Sequence, residues 1–263
     1  MDGVPDGWTL GLWLAASLAF AATGQLVALA PGSLVAASPA GVEMAPRHHS
    51  SLRVSAHAGW WGPVDRPLRV MTWNVHSAPL SRLEETVRQV QPDILALQEV
   101  SATPGELQRF AASLGMRAFM LVTVGRRKPF GLALLSRLPL HQVEYRWLPS
   151  GREPRAVLLA GSSQLLIVNT HLEPSPRRAR QLQALGQLLA GLQRPTVLLG
   201  DFNEEDAGRH FPDFEDAGRS AGLTYPPLQA RIDYVLVRGR KAASARVLPS
   251  PHSDHWALVA DLN

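Results

Sequence analysis

The 263-residue chain is long enough for one substantial domain with a well-buried core, and its composition excludes a disordered or fibrous protein. It contains no cysteine, which excludes disulfides, thiolate metal sites and cysteine nucleophiles. A formal charge of +4 and a pI of about 10.1, carried by Arg more than Lys, suit an anionic partner such as nucleic acid, a phospholipid surface or a phosphorylated metabolite, although a solvated basic surface gives the same totals.

Taken in chain order, residues 8–30 carry no charged side chain. Such a run can cross a bilayer core as a helix or form the apolar part of an export signal; a buried domain helix is the alternative. Asp2 and Asp6, with no Lys or Arg, precede the run, and Arg47 and Arg53 follow it. That asymmetry favours keeping the downstream chain on the cytoplasmic side of a membrane. Residues 1–31 are therefore read as a signal or membrane-anchor segment, giving a membrane-anchored or exported protein, with Met44 as an alternative start. Residues 32–67, rich in Ala, Gly, Ser and Pro and without a sustained period, read as a flexible linker.

From Leu68 short apolar runs alternate with amphipathic helices, so 68–263 reads as one domain. Strands are expected at Leu68 to Trp73, Ile94 to Leu97, Leu132 to Leu135, Ala156 to Ala160, Leu165 to Asn169, Thr196 to Leu199, Ile232 to Val237 and Ala257 to Leu262. Ser81 to Glu84 and Thr103 to Glu106 are capping boxes that start helices, the second with Pro104 at the first helical position. A longer helix follows Ser175-Pro176, with Leu182, Leu185, Leu189 and Leu192 on one side. Strands outnumber helices and several are joined by short turns, which predicts two packed sheets with helices outside.

The polar residues of interest share one placement, at or just beyond an end of an apolar strand. Asn74, Glu99, His171, Asp201 and Asn203 follow strands; Asp233 opens one; Asp254 and His255 precede the last. A rigid sheet presents side chains to a cleft at its strand ends. Each alone has a plain structural reading: a turn residue for Asn74, Asp201 or Asn203, a helix-start acid for Glu99, a surface ion pair for Asp233, a core imidazole for His171 or His255. Their recurrence at strand ends, in order, is what points to a site.

The segments Thr72-Trp73-Asn74-Val75-His76, Pro92 to Val100 with Gln98-Glu99, Gly131 to Arg137, Asn169-Thr170-His171-Leu172, Gly200-Asp201-Phe202-Asn203, Arg231-Ile232-Asp233-Tyr234 and Ser253-Asp254-His255 together resemble the endonuclease/exonuclease/phosphatase superfamily of DNase I-like metallophosphoesterases. The resemblance covers Arg69 to Leu262. It implies an α/β, four-layer αββα sandwich of two mainly antiparallel sheets flanked by helices, and Mg²⁺- or Mn²⁺-dependent cleavage of a P–O bond.

The chemistry of that reaction assigns roles. Phosphodiester hydrolysis needs charge neutralisation, an oriented water and a stabilised leaving oxygen, and hard oxygen donors suit Mg²⁺ or Mn²⁺. Glu99 is the expected principal metal ligand, with Asn74 and Asp254 completing or flanking the site. Asp201 is expected to orient and activate water, and Asn203 to hold water or a phosphate oxygen. Asp233 is expected to fix the tautomer of His255 and favour its charged form; whether His255 is then base or donor stays open. His171 is expected at the phosphoryl group or leaving oxygen, and Arg155 or Arg152 as a phosphate clamp.

Two departures stand out. His76 occupies a position where the abasic-site nucleases of the superfamily carry an acid, which weakens a DNA-repair reading and a two-metal site. The stretch Gly125 to Phe130 lacks the acid that supports the first histidine in DNase I-like enzymes, so His171 is expected to be held differently; its Arg126, Arg127 and Lys128 are either phosphate contacts or a solvated loop. A monomeric nuclease or general phosphodiesterase ranks first. A lipid-directed phosphoesterase, associated with a membrane through residues 8–30, ranks second. A non-catalytic binding module is a minor alternative, since Glu99, Asp201 and His255 are all present.

Overall fold

A computed structural model of the chain describes residues 33–38, 41–44, 51–53, 66–125, 128–140, 142–151, 153–162 and 164–263. The expected membrane or signal segment at 8–30, and with it Arg126, Arg127 and Arg152, lies outside the described residues. No helix among the described residues is long and apolar enough to cross a membrane.

In chain order the elements are β1 (Leu34–Ser38), β2 (Gly41–Met44), β3 (Ser51–Arg53), β4 (Leu68–Asn74), α1 (Leu80–Val90), β5 (Ile94–Ser101), α2 (Pro104–Leu114), β6 (Arg117–Val124) and β7 (Phe130–Ser136). There follow β8 (Gln142–Trp147), β9 (Ala156–Gly161), β10 (Leu166–His171), α3 (Arg178–Ala190), β11 (Thr196–Asp201), β12 (Glu215–Asp216), β13 (Asp233–Arg238), β14 (Ala242–Leu248) and β15 (Ala257–Leu262). The strands form an eight-stranded sheet, β14-β15-β4-β5-β7-β6-β1-β2, and a seven-stranded sheet, β12-β13-β11-β10-β9-β8-β3. Each contains one parallel pair, β4 with β5 and β10 with β11, joined through α1 and α3 respectively. The remaining neighbours are antiparallel, so both sheets are mixed but mainly antiparallel.

Side-chain alternation builds the layers. In β4, Leu68 and Val70 enter the core between the sheets, whereas Met71 and Trp73 face α1 and α2. In β11, Val197 and Leu199 point between the sheets and Leu198 packs under α3 with Leu182, Leu185 and Leu189. Helices, sheet, sheet and helix therefore form the expected four-layer α/β sandwich.

The core between the sheets turns polar as it approaches one end. The interior parity that places Val70 and Ile94 also places Thr72 and Gln98; Gln98 Nε2 donates to Thr72 Oγ1 (3.1 Å) and to Asn169 Oδ1 (2.8 Å). Asn169 Nδ2 in turn donates to the carbonyls of Leu97 and Ala133 (3.1 and 2.8 Å). This fully bonded amide layer is the floor on which the terminal side chains stand.

Several boundaries differ from expectation. The stretch 32–67 is not wholly a linker. β1 alternates Leu34 and Ala36 into the inter-sheet core with Val35 and Ala37 under α2, and it covers the edge of β6. Its small apolar residues are hidden by an Ala- and Ser-rich surrounding, which is why composition alone read them as a spacer. α1 begins at Leu80, with Pro79 as an N-cap that makes no side-chain bond, so Ser81 to Glu84 is not a capping box. The box at Thr103 is present: Glu106 N donates to Thr103 Oγ1 and Thr103 N donates to Glu106 Oε2. The strands β2, β3, β6, β8, β12 and β14 were also not expected; β14 and β8 carry enough exposed polar residues to mask their alternation.

Gly200 is fixed by close approach. At φ +149° a Cβ there would lie 2.1 Å from the carbonyl oxygen of Thr170 on the parallel neighbour. Gly200→Ala is expected to cost about 3 kcal/mol or more in a urea unfolding titration, because β10 and β11 must part just before Asp201.

Candidate active site

Because β4/β5 and β10/β11 are parallel pairs, their C-terminal ends emerge at one edge of the sandwich, joined there by the start of β13 and the turn before β15. Asn74, Gln98, His171, Asp201 and Asp233 all keep the parity of the inter-sheet core and so converge between the sheets. Glu99 should by parity face the helices with Leu95 and Leu97. It does not, because the β5/β7 register shifts between Leu97 and Val100, and Glu99 takes φ +55°. The bulge leaves Val100 in phase with the helix-side core and releases the Glu99 side chain to the sheet edge. His76, Ser77 and Asn203 also hold positive φ (+45°, +61° and +49°), so with Glu99 four of the seven such non-glycine residues among those described border this cleft.

Asn74 links the two sheets. Its Nδ2 donates to Glu99 Oε1 (3.1 Å) and to Asp201 Oδ2 (3.0 Å), while its Oδ1 accepts from the backbone N–H of His76 (3.0 Å). Two carboxylates require the donor and a backbone amide requires the acceptor, so the orientation of the carboxamide is determined from both sides. Asn74 thus holds Glu99 and Asp201 in place, and one lone pair of its Oδ1 remains beyond the bond from His76 N for the metal contact expected of it.

Asp201 is the hub. Its Oδ1 accepts from Asn203 N (2.8 Å), and its Oδ2 lies 3.4 Å from His171 Nε2 and 3.7 Å from His255 Nε2. His255 Nδ1 is 2.8 Å from Asp233 Oδ2, and Asp233 is fully buried with its other oxygen unpartnered among the described residues. Burial opposes the charged form of His255, but the Asp233 hydrogen bond and the charges of Asp233, Asp201 and Asp254 outweigh it and raise the imidazole to about 9. Burial and the Asp233 charge push Asp201 up to about 7, against the His255 charge and the N–H bonds from Asn74 and Asn203. His171 goes the other way: burial, the Arg155 charge and the His255 charge hold it well below the ordinary histidine range.

Arg155, expected as a phosphate clamp, lines the same small cavity as Glu99 and His171. Its Nη1 donates to His171 Nδ1 (2.8 Å) and its Nη2 pairs with Glu153 (2.9 Å). Asn203 Nδ2 lies 3.3 Å from His171 Nε2 and donates to the Leu172 carbonyl at 2.9 Å.

On the outer side, His76 Nδ1 sits 3.6 Å from Glu99 Oε2 and 3.5 Å from Asp254 Oδ1, with Ser253 Oγ donating to the Asn74 carbonyl (2.7 Å). The side chains of Glu99 and Asp254 are 23% and 33% exposed, so these oxygens meet solvent at the mouth. This hard, partly open donor set fits a divalent cation of the Mg²⁺ or Mn²⁺ type. Asp201, Asp233 and His255 also bring ligand atoms within 4.8 Å of one another, but there the buried imidazole already supplies the positive charge. The nine candidate site residues that are described, Arg152 lying outside them, thus gather at one sheet edge.

Sequence reasoning assigned no role to His76, Gln98, Tyr225 or Thr224. The Tyr225 ring packs against His255 with centroids 4.6 Å apart and planes tilted by 43°, and its hydroxyl is raised by burial and by Asp254, Asp201 and Glu99, so it borders the cleft. Thr224 Oγ1 caps the backbone N–H of Asp233 (3.1 Å). Both sit in a loop without periodicity, which offers no signal; Gln98 was visible only as the interior neighbour of Glu99.

A mainly antiparallel double-sheet sandwich with acids and imidazoles at one edge is a DNase I-like architecture. The model of the Endonuclease/Exonuclease/phosphatase family matches residues 71–255, and this chain belongs to that family. Membership makes it, in general terms, a phosphoesterase hydrolase. A UPF0294 protein of Yersinia enterocolitica is 28% identical over 232 residues, covering 76% of this chain and 85% of that protein. Among solved structures, an endonuclease/exonuclease/phosphatase from Beutenbergia cavernae superposes with a TM-score of 0.62 at 22% identity, over 75% of this chain and 72% of that one. The human Nocturnin catalytic domain with bound sulfate anion superposes with a TM-score of 0.62 at 24% identity, over 75% and 93%.

Proposed function

We propose that the protein hydrolyses a phosphodiester with a divalent cation, acting as a nuclease or general phosphodiesterase. The observation that carries this reading is the position of Asp201, within 3.7 Å of two imidazoles of opposite character and tied by Asn74 to Glu99 at the open mouth. Glu99 and Asp254 would hold the cation, which when bound supplies charge neutralisation and Lewis acidity at the phosphoryl oxygen. Asp201, with a proton affinity near neutral pH, accepts the proton of the attacking water, and Asn203 fixes the orientation of its carboxylate. His255, held as a cation by Asp233, donates to the phosphoryl oxygens as their charge grows. The net charge of +4 supports an anionic polymer as substrate; the uncharged run at 8–30 favours a lipid phosphoester as the second reading.

The test is turnover by the full chain of plasmid DNA, RNA, sphingomyelin, phosphoinositides and a chromogenic diester, each with Mg²⁺, Mn²⁺ or EDTA. Cleavage abolished by EDTA is expected; no turnover of any substrate with either metal would overturn the reading. Glu99→Gln is expected to raise the Mn²⁺ concentration for half-maximal rate by about tenfold or more, and to remove the upward shift in melting temperature that Mn²⁺ gives the wild type.

A further inference from the structure

The two histidines of the cleft are backed by opposite charges. Behind His255 stands a carboxylate, Asp233; behind His171 stands a guanidinium, Arg155. Arginine has five donors, no acceptor and no accessible deprotonated form. Against Arg155 Nη1 at 2.8 Å, His171 Nδ1 can only accept, so the single proton of the neutral ring resides on Nε2.

We propose that Arg155 is a positioning residue that locks His171 in the Nε2–H tautomer, making it a hydrogen-bond donor to a substrate phosphoryl or leaving oxygen and not a proton acceptor. The assignment of the target oxygen rests on the phosphoesterase reading above; the tautomer rests on geometry alone.

The lock is built into the fold. Arg155 lies immediately before β9, where Arg155 N donates to Ser150 Oγ (2.8 Å) and its carbonyl accepts from Leu148 N (2.8 Å). Its side chain is only 9% exposed, and its Nη2 pairs with Glu153. The Nε2–H faces Asp201 Oδ2 (3.4 Å) and Glu99 Oε1 (3.9 Å). Asn203 Nδ2, at 3.3 Å, has a second N–H beyond the one given to the Leu172 carbonyl and opposes the Nε2 proton, but the Arg155 contact is shorter, at 2.8 Å, and a guanidinium can only donate, so it decides the tautomer. Burial and the adjacent guanidinium also disfavour the imidazolium. The arrangement explains how the ring is held without an acid in the segment before β7. It also divides the labour of the two rings, one a fixed cation and the other a fixed neutral donor.

The test is ¹⁵N NMR of the full chain labelled at histidine, at pH 8 without metal, with His171 assigned by its absence from the H171Q spectrum. The wild type should show a protonated-type shift at Nε2 and an unprotonated-type shift at Nδ1. Arg155→Lys keeps a donor and should keep that pattern. Arg155→Glu places an acceptor against Nδ1 and should reverse it. On whichever phosphoester the wild type turns over, Arg155→Glu should lower kcat by about 100-fold or more with KM within about threefold, and Arg155→Lys should recover most of the loss. A wild-type ring protonated at Nδ1 overturns the proposal. So does an Arg155→Glu enzyme whose KM alone rises, the result of a direct phosphate clamp. If Arg155→Glu fails to fold, the wild-type and Arg155→Lys spectra decide. If the wild type turns over no phosphorylated compound, the phosphoesterase reading falls while the spectra still decide the tautomer.

Discussion

His255→Ala is expected to lower kcat by about 10³-fold or more, roughly 4 kcal/mol of transition-state stabilisation, with a much smaller change in KM. The size follows from the setting. The ring is buried, its Nδ1 is fixed by Asp233 at 2.8 Å, and its Nε2 is 3.7 Å from Asp201, so a preorganised positive charge is lost from a site that water cannot refill at equal strength. Because the folded pKa is raised to about 9, the active cation should disappear, and the rate should fall, as pH rises through about 9. Asp233→Asn should move that alkaline limb to lower pH. The stability linkage has the same sign: folding stabilisation from this group is complete below its unfolded value of about 6.5 and is lost as pH rises through about 9. Urea titrations of wild type and His255→Ala between pH 6 and pH 10 measure it; a wild-type stability that did not fall across that range more than the variant's would contradict the assignment. A near-normal rate for His255→Ala would remove the residue from the mechanism.

What the sequence made legible, and what it concealed, has a common physical cause. The buried strands β4, β10, β11, β13 and β15 are near-continuous apolar runs, so their ends, and hence Asn74, His171, Asp201, Asp233 and His255, could be placed by pattern. The convergence itself was not visible, because it depends on parity across two sheets and on which strands run parallel. Glu99 illustrates the limit: simple alternation sends it toward the helices, and only the bulge at Leu97 to Val100 turns it to the mouth. Arg155 illustrates another. A basic residue beside a strand reads as a phosphate ligand, and nothing in the local sequence reveals that its Nη1 donates to His171, sixteen positions on. β1 was lost for a third reason: strands that cover an edge need few large side chains, and its Ala residues resemble a spacer.

Asp201→Asn is expected to lower kcat by about 10³-fold or more while leaving the fold intact. The carboxamide is nearly isosteric but cannot take a proton from water, and its amino group would meet the Asn74 donor now bonded to Oδ2. The same substitution separates the electrostatic argument from the catalytic one. Burial and Asp233 raise the Asp201 carboxyl from 3.8 to about 7, so between those values the folded state keeps a proton that the unfolded chain releases. Wild-type stability should therefore fall as pH rises from about 4 to about 7, and the loss should persist above that. Asp201→Asn should lack this component of the slope. Divalent cation bound near Glu99 favours the ionised carboxylate, so Mn²⁺ at pH 8 should recover part of the wild-type loss and little in the variant. Urea midpoints at pH 5 and pH 8, with and without Mn²⁺, test both statements. An Asp201→Asn protein with the wild-type slope would mean that the cleft does not strain this carboxyl, and that its proximity to two imidazoles is structural.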